Sequence, residues 1–493
     1  MRYRLWNGEG GMRISWCLIL LAGLAFATFA QVPEPGPAKS VNIPPVKETR
    51  LKNGLTVAVV EKHGVPIVTV QMLIKAGASS ETIQKSGLAN MTASILTKGT
   101  KTRSAEQIAQ EVEFLGGSIS SSAGWNNSSV SITVTSDKLQ QAMTILADVV
   151  LNPAFKQEEL DLLKSQTLDD LKYNLKQPGP MANYVASRRV FNEHPAGGTP
   201  ESIESFTRDD VVGFYSRVYG PDRSVLIFAG DITPTAATAA SEKLFGMWPQ
   251  QRPGPGYATG RGVDQGGPLS IVRRILVVDL PDSGQAAVNF YKPVLGVTRG
   301  SKDYYSASVL NSLLGGGYSS RLNQEIRIKR GLSYGALSSF AWRSGSANFG
   351  ARTQTKNESA AEVAELVIAE LKRLAETDAA EAELNPRRLV LTGGFGRTLE
   401  TTAGLTAALG DLYSFGVPPN ELNSYMPSVG GVSSAAVKSF AAKNLVNGEI
   451  IIVGDYSAFK DDLAKRFPTT QIDVVKAAEL NIESPTLRKS DVQ

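Results

Sequence analysis

The chain has 493 residues, of which 42% are hydrophobic and 20% are charged, and its formal net charge is +4. This length exceeds what one hydrophobic core usually organises, so we expect about two to four domains. A nearly balanced charge gives no electrostatic case for binding nucleic acid. The single cysteine is Cys17, which lies in the first thirty residues, so the rest of the chain has neither a disulfide framework nor thiol chemistry.

Residues 1–30 have the composition of a secretory signal peptide. Three arginines precede an apolar run of fifteen residues, WCLILLAGLAFATFA, which ends in small residues. The run is shorter than a membrane span needs and no basic flank follows it, which favours cleavage over anchoring. We therefore predict a periplasmic or secreted protein that has no membrane span after signal cleavage.

The remaining chain consists of two similar halves. Residues 249–268 contain ten Gly or Pro in twenty positions, which is typical of a linker, and they separate a first half at 31–248 from a second half at 269–482. A short tail follows at 483–493. The best internal match pairs TRDDVVGFYSRVYGPDRSVLIFAGD with SSAAVKSFAAKNLVNGEIIIVGD, so that Phe214 corresponds to Phe440 and Gly230 to Gly454.

Earlier in each half, the same elements follow in the same order. An opening strand, a helix, a pair of strands and a long amphipathic helix are predicted from LTVAVVEK, SGLANMTASILTKG, ISSSAGW with SVSITVTS, and KLQQAMTILADVVL in the first half. The second half repeats them in ILVVDL, DYYSASVLNSLLGG, LSYGALSSFAW with ANFGARTQ, and SAAEVAELVIAELKRL. We predict an α+β fold with two homologous halves, each an antiparallel sheet with helices on one face, while the strand order stays open.

A local zinc-binding pair of histidines is absent from the sequence. The inverted zinc motif of one peptidase class, H-x-x-E-H, places two imidazoles one helical turn apart with a carboxylate beside them. This chain has only two histidines, His63 and His194, which are far apart in the sequence. We interpret both as loop or packing residues rather than metal ligands.

Four segments nevertheless resemble the pitrilysin/insulinase family of zinc peptidases, the inverzincins, and within it the non-catalytic subunits of processing-peptidase-like pairs. They are LKNGLTVAVVEK, GLA followed after five letters by ILTKGT, FNEHPAGGTPESIESFTRDDVVGFYSRVYGPDRSVLIFAGDI, and GGGYSSRLNQEIRIKRGLSYG. They follow the family's order and spacing over almost the whole mature chain. The resemblance implies a clam-like molecule.

In the family's frame, the metal-binding positions of this chain are degenerate. Asn90 and Ser94 stand where the two histidines would be, Ala93 replaces the catalytic Glu, and Asp170 lies at or beside the third ligand. Neutral Asn and Ser are poor zinc ligands and Ala accepts no proton, so the resemblance implies neither zinc nor hydrolysis in this chain alone. A hard cation at Asn90 and Asp170 is an alternative.

The second half keeps another part of the family's site. Family members carry an Arg and a Tyr at the spacing of Arg327 and Tyr334, projecting toward a zinc site in the other half of the clam. The resemblance implies that Tyr334 donates to the developing oxyanion and that Arg327 holds substrate carbonyls. Gly331 is placed to end the preceding helix. The alternative is a solvated helix charge and a core-edge aromatic, and Arg330 competes for the Arg role.

Two further features have open interpretations. Gly315, Gly316 and Gly317 form either a mobile substrate-binding loop, as in non-catalytic processing-peptidase subunits, or only the boundary between two helices. Residues 117–135 resemble the family's edge strand that pairs with an extended substrate, but an ordinary solvent-facing edge has the same pattern.

These features predict an exported, non-catalytic subunit of a heterodimeric zinc metallopeptidase. It would have no cofactor of its own, and the zinc would lie in a homologous partner that carries H-x-x-E-H and acts with it on peptide substrates. One alternative is a structural or peptide-binding scaffold, in which Arg327 and Tyr334 are relics. Another is a peptidase with an unorthodox metal.

Overall fold

The computed structural model describes residues 43–250, 272–484 and 486–489. The predicted signal peptide and most of the predicted linker lie outside these residues. The first sheet consists of six strands: β1 Lys47–Arg50, β2 Thr56–Glu61, β3 Ile67–Ile74, β4 Ser118–Ala123, β5 Ser128–Thr135 and β6 Ser224–Gly230. The second sheet also has six: β7 Val272–Asp279, β8 Ala286–Leu295, β9 Ala336–Trp342, β10 Ser346–Thr355, β11 Gly448–Gly454 and β12 Gln471–Lys476.

The helices of the first half are α1 Leu88–Leu96, α2 Ala105–Phe114, α3 Leu139–Leu151, α4 Gln157–Asn174, α5 Pro178–Arg189, α6 Pro200–Ser205, α7 Arg208–Val218 and α8 Pro234–Phe245. Those of the second half are α9 Tyr304–Leu314, α10 Ala360–Glu376, α11 Glu381–Leu399, α12 Thr402–Ser414, α13 Glu421–Gly430, α14 Ser434–Asn444 and α15 Lys460–Arg466. Among the described residues, no helix has both the length and the apolar composition to cross a membrane.

The two sheets have the same strand order. It is β1-β2-β6-β3-β5-β4 in the first and β12-β7-β11-β8-β10-β9 in the second. Five of the six positions are occupied by equivalent strands. The sheets differ only at one edge, which is formed by β1 in the first and by β12 in the second. The predicted α+β fold with two similar halves is confirmed. Each sheet is mixed rather than wholly antiparallel, because β6 and β11 arrive through a helix and run parallel to β2 and β7.

The central strands show why the internal sequence match is so clear. β6 and β11 are buried along their full lengths, and this requires apolar side chains on both faces, hence the continuous runs SVLIFAG and GEIIIVG. The preceding helices bury Phe214 and Phe440 against the sheets. Gly230 has φ +131°, and a Cβ there would collide with the carbonyl oxygen of Ile67. Phe214 and Phe440 thus have the same packing role in the two halves, and a Cβ at Gly454 would also be crowded, 2.7 Å from the Cβ of Ala286.

One helix from each half packs on the sheet of the other half. In α12, Leu405, Leu409 and Leu412 join a core cluster with Val225 and Ile227 of the first sheet. This exchange covers part of the second face of each sheet, whereas the sequence predicted helices on one face only. The described residues belong to one compact unit.

The reciprocal contact is made by α5. Its residues Met181, Val185 and Ala186 pack against Ile451 and Val453 of the second sheet. The main contacts of α5 are with β8 and β11, and those of α12 are with β3 and β6. The outer strands β4, β5, β9 and β10 lie beside these main contacts and keep faces that reach solvent. In β4, for example, every position is exposed or half-buried.

Candidate functional site

The degenerate metal position lies on α1, and its side chains are engaged in packing. The side-chain amide of Asn90 donates to the carbonyl oxygen of Ala196 at 3.0 Å. Ala93 is completely buried, and its carbonyl oxygen accepts from the hydroxyl of Ser121 at 2.6 Å. Ser94 is half-buried. These side chains do not fit zinc: the amide of Asn90 already donates to a carbonyl, Ala93 has only a methyl group, and Ser94 has a neutral hydroxyl.

The third predicted position does not complete a metal site either. Asp170 is exposed on α4. Within the described parts of the chain, no group of three His, Cys, Asp or Glu side chains is arranged to hold a metal. Of the two histidines, His63 is exposed and pairs with Asp231 at 2.7 Å, whereas His194 is buried near the start of α1.

A buried carboxyl group that the sequence pattern did not indicate holds the start of α1. Glu81 accepts from the backbone N–H of Gly87 at 2.9 Å and also from that of Ala89. Nδ1 of His194 lies 3.6 Å from the same carboxylate, and its Nε2 lies 3.0 Å from the carbonyl oxygen of Ala78. Burial raises the pKa of Glu81 to about 8, although the two N–H donors offset part of this shift. Burial lowers the pKa of His194.

The raised pKa of Glu81 predicts a pH-dependent stability. The folded protein keeps the proton up to about pH 8, whereas the unfolded chain releases it near the ordinary glutamate pKa of 4.5, so stability falls as the pH rises through this window. Between pH 6.5 and 8 we expect a loss of about 2 kcal/mol in the free energy of unfolding. The variant E81Q should lack this slope, as measured by urea unfolding at several pH values. Parallel curves for both proteins would contradict the assignment.

The loop after α5 connects this region to the second half. Glu193 accepts two hydrogen bonds from Arg343, both at 2.8 Å, and one from Asn348 at 2.9 Å. The Arg343 guanidinium also lies 4.5 Å from the ring centre of Trp125, whose ring packs against His194 at 5.0 Å. The degenerate position and the β9–β10 hairpin are thus held in a fixed relation.

Arg327 and Tyr334 lie at the surface near the start of β9. Tyr334 is 88% exposed, which excludes a core-edge role. Arg327 lies in a π-helical segment, Asn323–Ile328, and its guanidinium lies 4.8 Å from the ring centre of Tyr318. Gly331 has φ +64° and its N–H donates to the carbonyl oxygen of Arg327 at 3.0 Å, so it ends the helical segment as predicted.

The π-helical turn was not predicted, and it is fixed to the strand that follows Tyr334. The buried side chain of Asn323 donates to the carbonyl oxygen of Ala336 at 2.8 Å and accepts from its N–H at 3.1 Å. This reciprocal pair joins the segment that carries Arg327 to the first residue of β9. π-Helical turns are rare and occur often at functional sites.

The ion pairs distinguish Arg327 from its competitor Arg330. Arg330 contacts Glu325 at 2.6 Å, and Lys329 contacts the same carboxylate. The hydrogen bond from Lys329, which has the larger effect, and that from Arg330 both lower the pKa of Glu325. Within the described residues, no carboxylate forms an ion pair with Arg327. Its donors are therefore available to a ligand, whereas Nη1 of Arg330 is occupied by the backbone and side-chain oxygens of Glu325.

The glycine run has a structural explanation at two of its three positions. The carbonyl oxygen of Gly315 accepts from the N–H of Ser338 at 3.2 Å, and a Cβ at Gly315 would collide with that nitrogen. A Cβ at Gly316 would lie 2.6 Å from the Cα of Ser312. Gly317 has open space around it. Close packing accounts for the first two glycines, and the substrate-binding loop remains a prediction.

The predicted substrate-pairing segment forms the β4–β5 hairpin, and β4 is an edge strand of the first sheet. Its exposed residues Ser118, Ser120 and Ser122 lie opposite Thr133, Ser131 and Ser129, so this open face is uncharged and rich in hydroxyl groups. An edge strand offers backbone groups to an added strand. Substrate pairing here remains a prediction.

Comparison with known proteins identifies the family. Residues 56–197 match the model of insulinase (peptidase family M16), and residues 205–388 match that of the peptidase M16 inactive domain. The chain belongs to the M16 peptidase family. The first M16 match contains the degenerate helix α1, and the second contains Arg327 and Tyr334.

Individual M16 relatives cover most of the chain. A protein of Rickettsia bellii named uncharacterized zinc protease is 27% identical over 384 residues, which are 76% of this chain and 89% of that protein. One of the same kind from Mycobacterium leprae is 30% identical over 303 residues, 59% of this chain and 65% of that protein. The crystal structure of a peptidase M16 inactive domain from Pseudomonas fluorescens matches with a TM-score of 0.76 and 25% identity, covering 83% of this chain and 98% of that one.

Proposed function

We propose that this M16 chain is an exported, non-catalytic subunit of a two-chain zinc peptidase, in which it completes the active site of a homologous partner. The proposal rests on a difference between the metal position and the Arg/Tyr pair. Asn90, Ala93 and Ser94 leave the metal position of this chain without ligands or base, whereas Arg327 and Tyr334 present donors at the surface that no carboxylate of the described residues engages.

Exposed Tyr334 and half-buried Arg327 suit the part of peptide hydrolysis that needs hydrogen-bond donors. The partner, with an intact H-x-x-E-H, would supply the zinc and the general base, and zinc in such sites activates water. Tyr334 would donate its hydroxyl proton to the oxygen on which negative charge develops. Arg327 would donate to carbonyl oxygens of the peptide, and its stacking on Tyr318 limits the orientations that its guanidinium adopts.

The proposal that the protein is exported is based on its sequence. Residues 1–30 have the arginines, the apolar run and the small terminal residues of a signal peptide. The rest of the chain has no cysteine, so its folding does not depend on the redox state of the compartment. We place the complex in the periplasm or outside the cell, where its substrates would be unfolded peptides.

A scaffold that binds peptides without hydrolysing them is the second candidate. The observation that favours it is the open edge of β4, whose backbone groups are available to an added strand. Such a protein would bind peptides without a partner. Substituting Tyr334 or Arg327 would then leave its biological activity unchanged.

The first experiment is a test of association. The purified mature chain is mixed with an exported M16 chain that carries an intact H-x-x-E-H, and the mixture is analysed by sedimentation velocity. We expect a one-to-one complex. An unrelated exported protein of similar size serves as the control. Two species that sediment independently at tens of micromolar, for every such M16 chain of the same organism, would contradict the proposal.

A further inference from the structure

One arginine lies on the open face of the second sheet. β9 and β10 pair so that Arg352 lies opposite Leu337, and Gly350 lies opposite Ser339. Both Arg352 and Leu337 are exposed, because α5 packs mainly on the neighbouring strands β8 and β11. Gly350 contributes no side chain. The guanidinium of Arg352 is therefore surrounded by uncharged strand neighbours.

Neutral groups hold this guanidinium in place. Nη2 of Arg352 donates to the hydroxyl of Ser339, and Nη1 donates to the side-chain oxygen of Asn183 at 3.4 Å. The same oxygen of Asn183 accepts from the hydroxyl of Tyr291 at 2.7 Å, which fixes its position. Asn183 belongs to α5, so both halves of the chain contribute to the orientation of Arg352.

None of the described residues neutralises the charge of Arg352. No carboxylate in the described ranges forms an ion pair with it, whereas Arg343, at the other end of the β9–β10 hairpin, is paired with Glu193 at 2.8 Å. Arg274 in the same sheet is paired with Glu449 at 2.8 Å. A guanidinium has five N–H donors in a planar fork that suits a carboxylate, and neutral partners at two positions leave donors available.

The position of Arg352 relates it to the proposed catalytic pair. Tyr334 precedes Leu337 by three residues, and Leu337 lies directly opposite Arg352. At about 3.3 Å per extended residue, this separation is at most about 10 Å along the strand. A peptide that crosses the open face of this sheet, with its cleaved bond at Tyr334, would therefore place a residue about three positions away near Arg352.

We infer that Arg352 is a subsite for a carboxylate of the bound peptide, so that the complex prefers acidic peptides. This inference rests on the proposed function, since it takes Tyr334 as the position of the cleaved bond. The carboxylate is either an Asp or Glu side chain about three residues from that bond, or the C-terminus of a short peptide. The two sources share the same bidentate recognition by a guanidinium.

The test compares matched peptides in the two-chain mixture. One peptide carries Glu about three residues from the cleaved bond, on either side, and its partner carries Gln there; both are made with free and with amidated C-termini. We expect kcat/KM to be roughly three- to ten-fold higher for the Glu peptide, or for the free C-terminus if that is the source. The variant R352Q should bring the Glu-to-Gln ratio of kcat/KM to about one, and R352E should invert it.

Two controls separate this inference from the function on which it rests. Arg397, an exposed arginine on α11, serves as a matched position, and R397Q should keep the preference for acidic peptides. If the mixture hydrolyses no peptide, the proposed function fails, and fluorescence anisotropy of labelled Glu and Gln peptides bound to this chain alone still tests the subsite. An unchanged preference in folded R352Q, or no preference in the wild type, would overturn the inference.

Discussion

Replacing Tyr334 with Phe should lower the turnover number of the two-chain mixture about 100- to 1,000-fold, which is the usual cost of removing one oxyanion donor. The tyrosine is 88% exposed, so losing its hydroxyl neither opens a cavity nor leaves a buried partner unsatisfied. The complex should therefore form as before. Turnover is measured under substrate saturation, since a group that acts only in the transition state changes kcat more than KM.

Arg327 should behave differently from its neighbour. R327A removes a guanidinium with no carboxylate partner in the described parts of the chain, and we expect it to lower kcat/KM of the mixture at least about 100-fold. R330A is the matched control, because Arg330 lies on the same segment but pairs with Glu325. It should cost little turnover. If Y334F and R327A both match the wild type, the pair does not act on the partner's substrate.

The fold could be predicted from the sequence wherever contacts are local or repeated. The period-two and period-3.6 patterns predicted part of the strands and helices of both halves, though not β3 and β8, and the repetition of Phe214 and Gly230 as Phe440 and Gly454 predicted the duplication. The exchange of α5 and α12 could not be predicted in this way. A helix pattern gives the apolar face but not the surface that it meets, and Leu409 meets a strand from the other half.

The candidate site was predictable only in part. The residue types at Asn90, Ala93 and Ser94 showed that zinc ligands are missing, because ligand chemistry depends on residue identity. The exposure of Tyr334 and the pairing of Arg330 with Glu325 required the structure. Glu81 was missed, because a glutamate beside Thr82 has no signal of burial, and its role at the start of α1 depends on the fold.

We propose that peptide hydrolysis by the two-chain complex depends on a metal and a base in the partner. Asn and Ser bind zinc weakly, and no side chain at Ala93 accepts a proton from water. The effect should be large, since zinc generates the attacking nucleophile and a general base contributes about 100- to 10,000-fold more. The partner alone should also be slow, because it would lack the donors of Arg327 and Tyr334.

The most direct test measures zinc content and peptide hydrolysis for three samples: this chain alone, the H-x-x-E-H partner alone, and their mixture. We predict far less than one zinc per molecule of this chain and no chelator-sensitive hydrolysis by it. The mixture should bind zinc through the partner and hydrolyse peptides much faster than the partner alone. Stoichiometric, tightly bound zinc in the isolated chain, together with hydrolysis that a chelator abolishes, would contradict the account.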